Sequence, residues 1–262
     1  MSAILIEDGV VHYEVLGRGR PVLLLHGWVG SWRYWIPSMQ HAAMRFRAYA
    51  LDFWGFGDTD HLSERYTVNA QVTLVAQFLD KLGIGRIALV GHGLGALVGM
   101  FFARRWPERV ERLMAIGLPE SYEAISARLQ REDLKTLSDW LLTPTPSTEA
   151  ARMEAPKADP QAIVASLKAL RTMDVAGAFA NLQVPTLLVY GLKDPLIRLP
   201  ERLSPEQLPE HVHVIPFEAS GHFPMLDEGS KFHRLLFDFL TLAPGESPRK
   251  LQLKEEWKRR VR

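Results

Sequence analysis

The 262-residue chain contains no cysteine. That excludes disulfides, thiolate nucleophiles and cysteine-ligated zinc. It also lacks a charge excess, with 31 Lys and Arg against 30 Asp and Glu and a formal net charge of +1. Global charge therefore argues for neither nucleic acid nor an anionic surface as the main partner. The opening residues, MSAILIEDGV, have no basic segment followed by a long apolar one, so no secretory signal is expected. The most membrane-like stretch, residues 86–103, is interrupted by His92 and four glycines, which a transmembrane helix would not usually be. A soluble cytoplasmic protein with no integral membrane segment is the expectation. No internal repeat is evident, and no feature of the sequence specifies an oligomeric state.

What is present is the composition of a globular protein, 47% hydrophobic and 23% charged. The length suits one α/β domain with one modest insertion. Short apolar runs at Val22–Leu25, Ala48–Leu51, Ile87–Val90, Leu113–Ile116 and Thr186–Val189 read as strands buried on both faces. Ala3–Ile6 and Val10–Leu16 flank Glu7-Asp8-Gly9, a hairpin signal, and Val212 and Val214 alternate with His211 and His213 in a later strand. Apolar residues fall at helical spacing at Val72, Val75, Leu79 and Leu82, and again at Phe232, Leu235, Leu236 and Phe239. Alternating strands and helices predict an α/β fold, a mostly parallel twisted sheet with helices on both faces.

Residues 119–183 break this rhythm with helical patterns and no convincing strand, and are expected to form a helical cap over a pocket. The core would then comprise residues 1–118 and 184–246. Residues 247–262 are expected as a basic C-terminal helix, with Leu253, Trp257 and Val261 on one face. Docking of that helix on its own domain is favoured over an anchor for an acidic surface.

The segment Ile87-Ala-Leu-Val-Gly-His-Gly-Leu-Gly-Ala-Leu-Val carries the chemistry. A buried strand enters a tight glycine-bounded turn, and a helix with small residues on its first turn follows. This is the layout of a nucleophile elbow, G-x-S-x-G, whose flanking small residues let strand and helix approach closely. Gly91 and Gly95 hold the flanking places, His92 lies between, and the nucleophile position is held by Gly93.

With four further motifs in order, the chain resembles the α/β-hydrolase superfamily over almost its whole length, in the branch of small esterases, haloperoxidase-like enzymes and epoxide hydrolases. His26-Gly27-Trp28 follows the first parallel strand, where the family places its oxyanion turn. Asp52-Phe-Trp-Gly-Phe-Gly-Asp-Thr59 resembles the family's D-x-x-G-x-G-x-S loop. Asp194 and His222 follow later strands, as the family's acid and histidine do. The resemblance implies that His222 is the general base, that Asp194 fixes its tautomer, and that the N–H groups of Trp28 and Leu94 form the oxyanion hole. It implies no cofactor, and a small, largely apolar ligand or ester-like substrate as partner.

Glycine has no oxygen with which to attack a carbonyl, so an acyl-enzyme cannot form at position 93. Losing a serine nucleophile typically costs ~10⁶ in kcat. Glycine also relieves the backbone strain of an elbow by ~1–3 kcal/mol. Ser31 and Ser121 are expected near the pocket rim, but neither has an elbow to present it to His222. A water beside His222 and the two N–H groups is the more plausible occupant of the space left by the missing hydroxymethyl.

Three functions stay open: a ligand-binding member without acyl-enzyme chemistry, a His–Asp general-base enzyme without a covalent intermediate, and a serine hydrolase inactivated by a Ser-to-Gly change at 93. A dinucleotide reading of Gly91–Ala96, with Glu120 at a ribose, leaves His26-Gly27, Asp194 and His222 unexplained. His211 and His213 lack a third metal ligand and are expected as a solvent-facing pair, so no metal site is assigned. Trp28, Trp32, Trp35, Phe53 and Trp54 are candidates either for an apolar pocket lining or for plain core.

Overall fold

The computed structural model describes residues 2–200 and 208–253. Its centre is an eight-stranded sheet in the order β1-β2-β4-β3-β5-β6-β7-β8. The strands are β1 (Ser2–Ile6), β2 (Gly9–Gly17), β3 (Arg20–Leu25), β4 (Phe46–Leu51), β5 (Ile87–His92), β6 (Val110–Ile116), β7 (Thr186–Gly191) and β8 (Val212–Phe217). β1, β2 and β4 pair antiparallel, and the pairs from β4 through β8 are parallel. The Glu7-Asp8 turn forms the expected hairpin, with Glu7 at φ 56.

The helices are α1 (Ile36–Ala42), α2 (Val68–Lys81), α3 (Leu94–Arg105), α4 (Arg128–Arg131), α5 (Leu134–Leu141), α6 (Glu149–Glu154), α7 (Pro160–Leu170), α8 (Val175–Ala180), α9 (Pro224–Asp227) and α10 (Gly229–Thr241). One group pairs α1 with α10, and another joins α2 to α3 and α3 to α8. Every residue of β5 and of β7 is buried, so both faces of the central sheet are covered. Continuous apolar runs, rather than alternating ones, follow from that double coverage. The periodic residues Val72, Val75 and Leu79 of α2, and Phe232, Leu235, Leu236 and Phe239 of α10, all face the core.

Between β6 and β7 the described chain is helical, from a short 3₁₀ turn at Tyr122–Ala124 through α4 to α8. Side-chain hydrogen bonds help hold this segment to the sheet side. Trp28 Nε1 donates to Ser166 Oγ at 2.9 Å, Tyr66 Oη to Asp159 Oδ2 at 2.8 Å and Ser31 Oγ to Glu154 Oε2 at 3.2 Å. Of the stretch expected as a C-terminal helix, the described part holds one 3₁₀ turn, Pro248–Lys250, followed by extended Leu251. There Arg249 donates to the carbonyls of Leu208, Pro209 and Val212, which ties the segment to the start of β8. Trp257 and Val261 lie outside the described residues.

Candidate active site

The elbow is built by close approach of backbone to backbone. A Cβ on Gly91 would lie 2.2 Å from the carbonyl oxygen of Gly95, and one on Gly95 would lie 2.3 Å from that of Leu25. Both places therefore require glycine. Gly93 sits between them at φ 52, ψ −108, a left-handed conformation that side chains other than hydrogen rarely adopt. Its N–H donates to Ile116 O at 2.9 Å, and Gly95 N–H donates to His26 O at 3.0 Å. The strained geometry of an elbow is thus kept by a residue that brings no functional group. The nearest atoms to a Cβ added at Gly93 would be those of the Trp28 ring, at 3.4 and 3.5 Å, and Gly27 Cα at 3.6 Å, all ordinary contact distances.

The loops after β7 and β8 bring Asp194 and His222 together. His222 Nδ1 lies 2.8 Å from Asp194 Oδ2, so the carboxylate accepts that proton and the ring's Nε2 is left as an acceptor. Asp194 is itself fixed, because its Oδ1 accepts from the N–H groups of Leu196 at 2.8 Å and Ile197 at 3.1 Å. His222 is 1% exposed, and its Nε2 is enclosed with no hydrogen-bond partner among the described residues. A buried acceptor left without a partner costs about 1–3 kcal/mol. Gly117, just past β6, faces the pair; a Cβ there would lie 3.8 Å from both Asp194 Oδ2 and His222 Cε1.

The turn after β3 carries Trp28 and the first turn of α3 carries Leu94. Neither N–H donates to another group among the described residues. For Leu94 this is the ordinary state of a helix N-terminus, whose dipole favours negative charge. Among the described residues the arrangement offers two backbone donors without an acceptor, beside the elbow glycine, and one buried imidazole nitrogen without a partner. Such a set can hold a polarised carbonyl and accept a proton; it cannot form a covalent bond through position 93.

A family model described as alpha/beta hydrolase fold matches residues 20–154. The chain belongs to the α/β hydrolase fold family. It is 30% identical over 254 residues to the 2-hydroxy-6-oxo-2,4-heptadienoate hydrolase of Pseudomonas putida, across 86% of this chain and 91% of that one. It is 28% identical over 260 residues to the pimeloyl-[acyl-carrier protein] methyl ester esterase of Sodalis glossinidius, across 88% and 97% of the two chains. Among solved structures, a serine-to-glycine mutant of the N-acyl homoserine lactonase AidH complexed with N-hexanoyl homoserine lactone aligns with a TM-score of 0.78. That likeness, at 20% identity over 91% of this chain and 96% of the other, is one of fold.

Within the hydrolase fold, the remaining motif residues act as braces. Phe53 N–H donates to His26 Nε2 at 3.1 Å, so His26 Nδ1 carries the proton and donates to Gly27 O at 2.8 Å. Burial holds the His26 pKa below its ordinary value. Asp52 accepts from Trp32 N–H at 2.8 Å and Asp58 N–H at 3.1 Å, while Thr59 Oγ1 donates to Asp52 O at 3.0 Å. His12, Asp52 and Asp58 lie close enough for a metal ion. Their charges are already matched, with His12 Nδ1 3.0 Å from Asp52 Oδ2 and Asp58 paired to Arg33 and Lys157.

Several expectations change. Ser31 is fully buried and engaged, donating to Glu154 and accepting from Arg33 N–H. Ser121 begins a 3₁₀ turn in the helical segment. His211 and His213 are not a solvent-facing pair; each is half-buried, with Nε2 on the carbonyls of Leu182 at 2.7 Å and Leu251 at 3.1 Å. Trp28, Trp32, Trp35, Phe53 and Trp54 are core. None of them lines the cavity of about 620 Å³ bounded by Leu118, Glu120, Val175, Phe179, Leu188 and Tyr190. That cavity lies beside the ends of β6 and β7, next to Gly117 rather than at Gly93. Tyr34 was missed by sequence reasoning: it lies seven positions after Gly27, embedded in an aromatic run that reads as core. Among the described residues no helix is long and apolar enough to cross a membrane.

Proposed function

We propose that this chain is a ligand-binding member of the hydrolase fold that takes up a small, largely apolar carbonyl compound without forming an acyl-enzyme. The carbonyl oxygen sits against the Trp28 and Leu94 N–H groups, and the His222–Asp194 pair faces the carbonyl carbon. The observations that carry this reading are the elbow conformation at Gly93, φ 52 and ψ −108, and a buried His222 Nε2 with no hydrogen-bond partner among the described residues. The binding framework is formed while the covalent step has no atom to occur on.

The named substrates of the relatives share one chemical feature. A methyl ester and a 6-oxo compound both offer a carbonyl. A serine-to-glycine mutant of a lactonase with its lactone bound supports the idea that a glycine variant of this fold holds such a ligand. Helices α4 to α8 form the roof that selects the ligand's shape, as a cap over residues 1–118 and 184–246.

The test is incubation with short-chain p-nitrophenyl esters, followed by intact-mass spectrometry and equilibrium dialysis. The expected result is reversible binding, no mass adduct and turnover near the uncatalysed rate. A covalent acyl adduct anywhere on the chain overturns the reading. A second reading has a specific observation in its favour, the orphaned Nε2: His222 acts as general base on an attacking water. Slow turnover without an adduct that disappears in His222→Ala selects this second reading; slow turnover that survives the substitution eliminates it.

A further inference from the structure

A series of hydrogen bonds runs through the interior from the turn after β3 to the loop carrying His222. Gly27 N–H donates to the Tyr34 hydroxyl at 2.7 Å. That hydroxyl lies 2.9 Å from His92 Nδ1, and His92 Nε2 lies 2.9 Å from the carbonyl oxygen of His222. The protons order themselves. A carbonyl only accepts, so His92 Nε2 carries the proton and donates. Nδ1 of the neutral ring is then an acceptor, which makes the Tyr34 hydroxyl its donor and leaves the phenol oxygen to accept from Gly27. Each polar group is used once, and none is left over.

The series is closed to water, with Tyr34 at 1% exposure and His92 at 0%. Burial, and after it the neighbouring His222 ring, hold the His92 pKa well below its ordinary value. Burial holds the Tyr34 hydroxyl well above its own. Both side chains are therefore neutral and fixed in one proton arrangement. Packing follows the same path: a Cβ on Gly27 would lie 3.0 Å from His92 Nδ1, and the His92 ring centroid is 4.4 Å from that of His222.

We propose that Tyr34 and His92 are positioning residues that lock the oxyanion turn to the His222 loop, holding the proton acceptor and the backbone donors at one separation. The proposal rests on the roles given above to His222, Trp28 and Leu94. It gives the histidine of the elbow a task distinct from nucleophilic chemistry. Neither residue touches the ligand; both act through the backbone of Gly27 and His222. A neutral His92 also adds no repulsion to an imidazolium forming on His222.

Two measurements test it. In the chain as it stands, nitrogen-15 NMR of labelled histidines should find His92 as the neutral Nε2–H tautomer, and Tyr34→Phe should shift the His222 ring signals. An Nδ1–H tautomer, or unmoved His222 signals, overturns the proposal. In a Gly93→Ser background, rates are taken per active site counted from the p-nitrophenol burst. Tyr34→Phe should lower kcat about tenfold to a hundredfold with KM little changed, the loss expected for a misplaced catalytic group. His92→Gln keeps an N–H for the His222 carbonyl and should retain more of that rate than His92→Leu. Unchanged kcat per site in Tyr34→Phe, or Leu equal to Gln, means packing alone and also overturns the proposal. Absence of any burst in Gly93→Ser itself refutes the roles assigned to the dyad, and the tautomer and the His222 shift still decide the lock.

Discussion

Restoring a hydroxymethyl at position 93 separates chemistry from framework in one step. The added Cβ of Gly93→Ser meets nothing closer than 3.4 Å, so the substitution does not clash. Its cost is conformational. A serine at φ 52, ψ −108 occupies a strained region, worth about 1–3 kcal/mol. For a chain of this size that lowers Tm by roughly 2–4 °C per kcal/mol, so by about 2–12 °C in all. The expected gain is a nucleophile for the imidazole of His222, which Asp194 fixes at 2.8 Å. A missing serine nucleophile costs ~10⁶ in kcat, equivalent to about 8 kcal/mol of barrier. Gly93→Ser is therefore expected to be less stable and faster by several orders of magnitude. The assay is p-nitrophenyl butyrate hydrolysis, with a burst of one product per site, beside a thermal scan of both proteins. A folded Gly93→Ser protein with no burst and the parent's rate would refute the dyad and oxyanion roles together. A raised Tm would refute the strain argument alone.

Other expected outcomes follow from single contacts. Gly95→Ala drives a methyl group into the Leu25 carbonyl at 2.3 Å, backbone that cannot swing away, and should cost more than about 3 kcal/mol or abolish soluble expression. Ser166→Ala leaves the buried Trp28 Nε1–H without its acceptor and should lower stability by about 1–3 kcal/mol in denaturant melts. His233 is pushed down to about 4 by burial and then by His41, from an ordinary 6.5. The unfolded chain therefore binds this proton first as pH falls, and stability present above about pH 6.5 is lost between about 6.5 and 4. The upper bound is about 3 kcal/mol at 1.36 kcal/mol per pKa unit. His26 and His92 act in the same direction and His12 opposes them. Urea melts across that window should show a shallower slope in His233→Gln; an unchanged slope would mean this histidine is not the source.

The parts of the fold legible in the sequence are those written in local pattern. Strands such as Ile87–His92 announce themselves because burial on both faces demands an unbroken apolar run. The elbow is legible because backbone contact at Gly91 and Gly95 tolerates only glycine. What the sequence hides is pairing across distance. Tyr34 and His92 are 58 residues apart, and Trp28 and Ser166 are 138 apart. No spacing rule connects them. The aromatic cluster misleads for a related reason: Trp35 and Phe53 serve the core as well as they would serve a pocket, and composition does not distinguish the two.

The elbow shows why a hydrolase framework persists around a glycine. Its sharpness is set by Gly91 and Gly95, whose backbones touch Gly95 and Leu25, and by the Gly93 N–H on Ile116. None of these contacts involves a side chain at 93. The turn is imposed by the packing of α3 on β3 and β5, and the nucleophile of an active hydrolase is a passenger on it. Likewise the Asp194–His222 hydrogen bond, the Asp52 loop and the free N–H groups of Trp28 and Leu94 draw nothing from a serine. A serine-to-glycine change at such a position would therefore take away strain and reactivity while leaving these contacts in place. Folding alone favours glycine at φ 52, ψ −108, so only chemistry would select a serine at position 93.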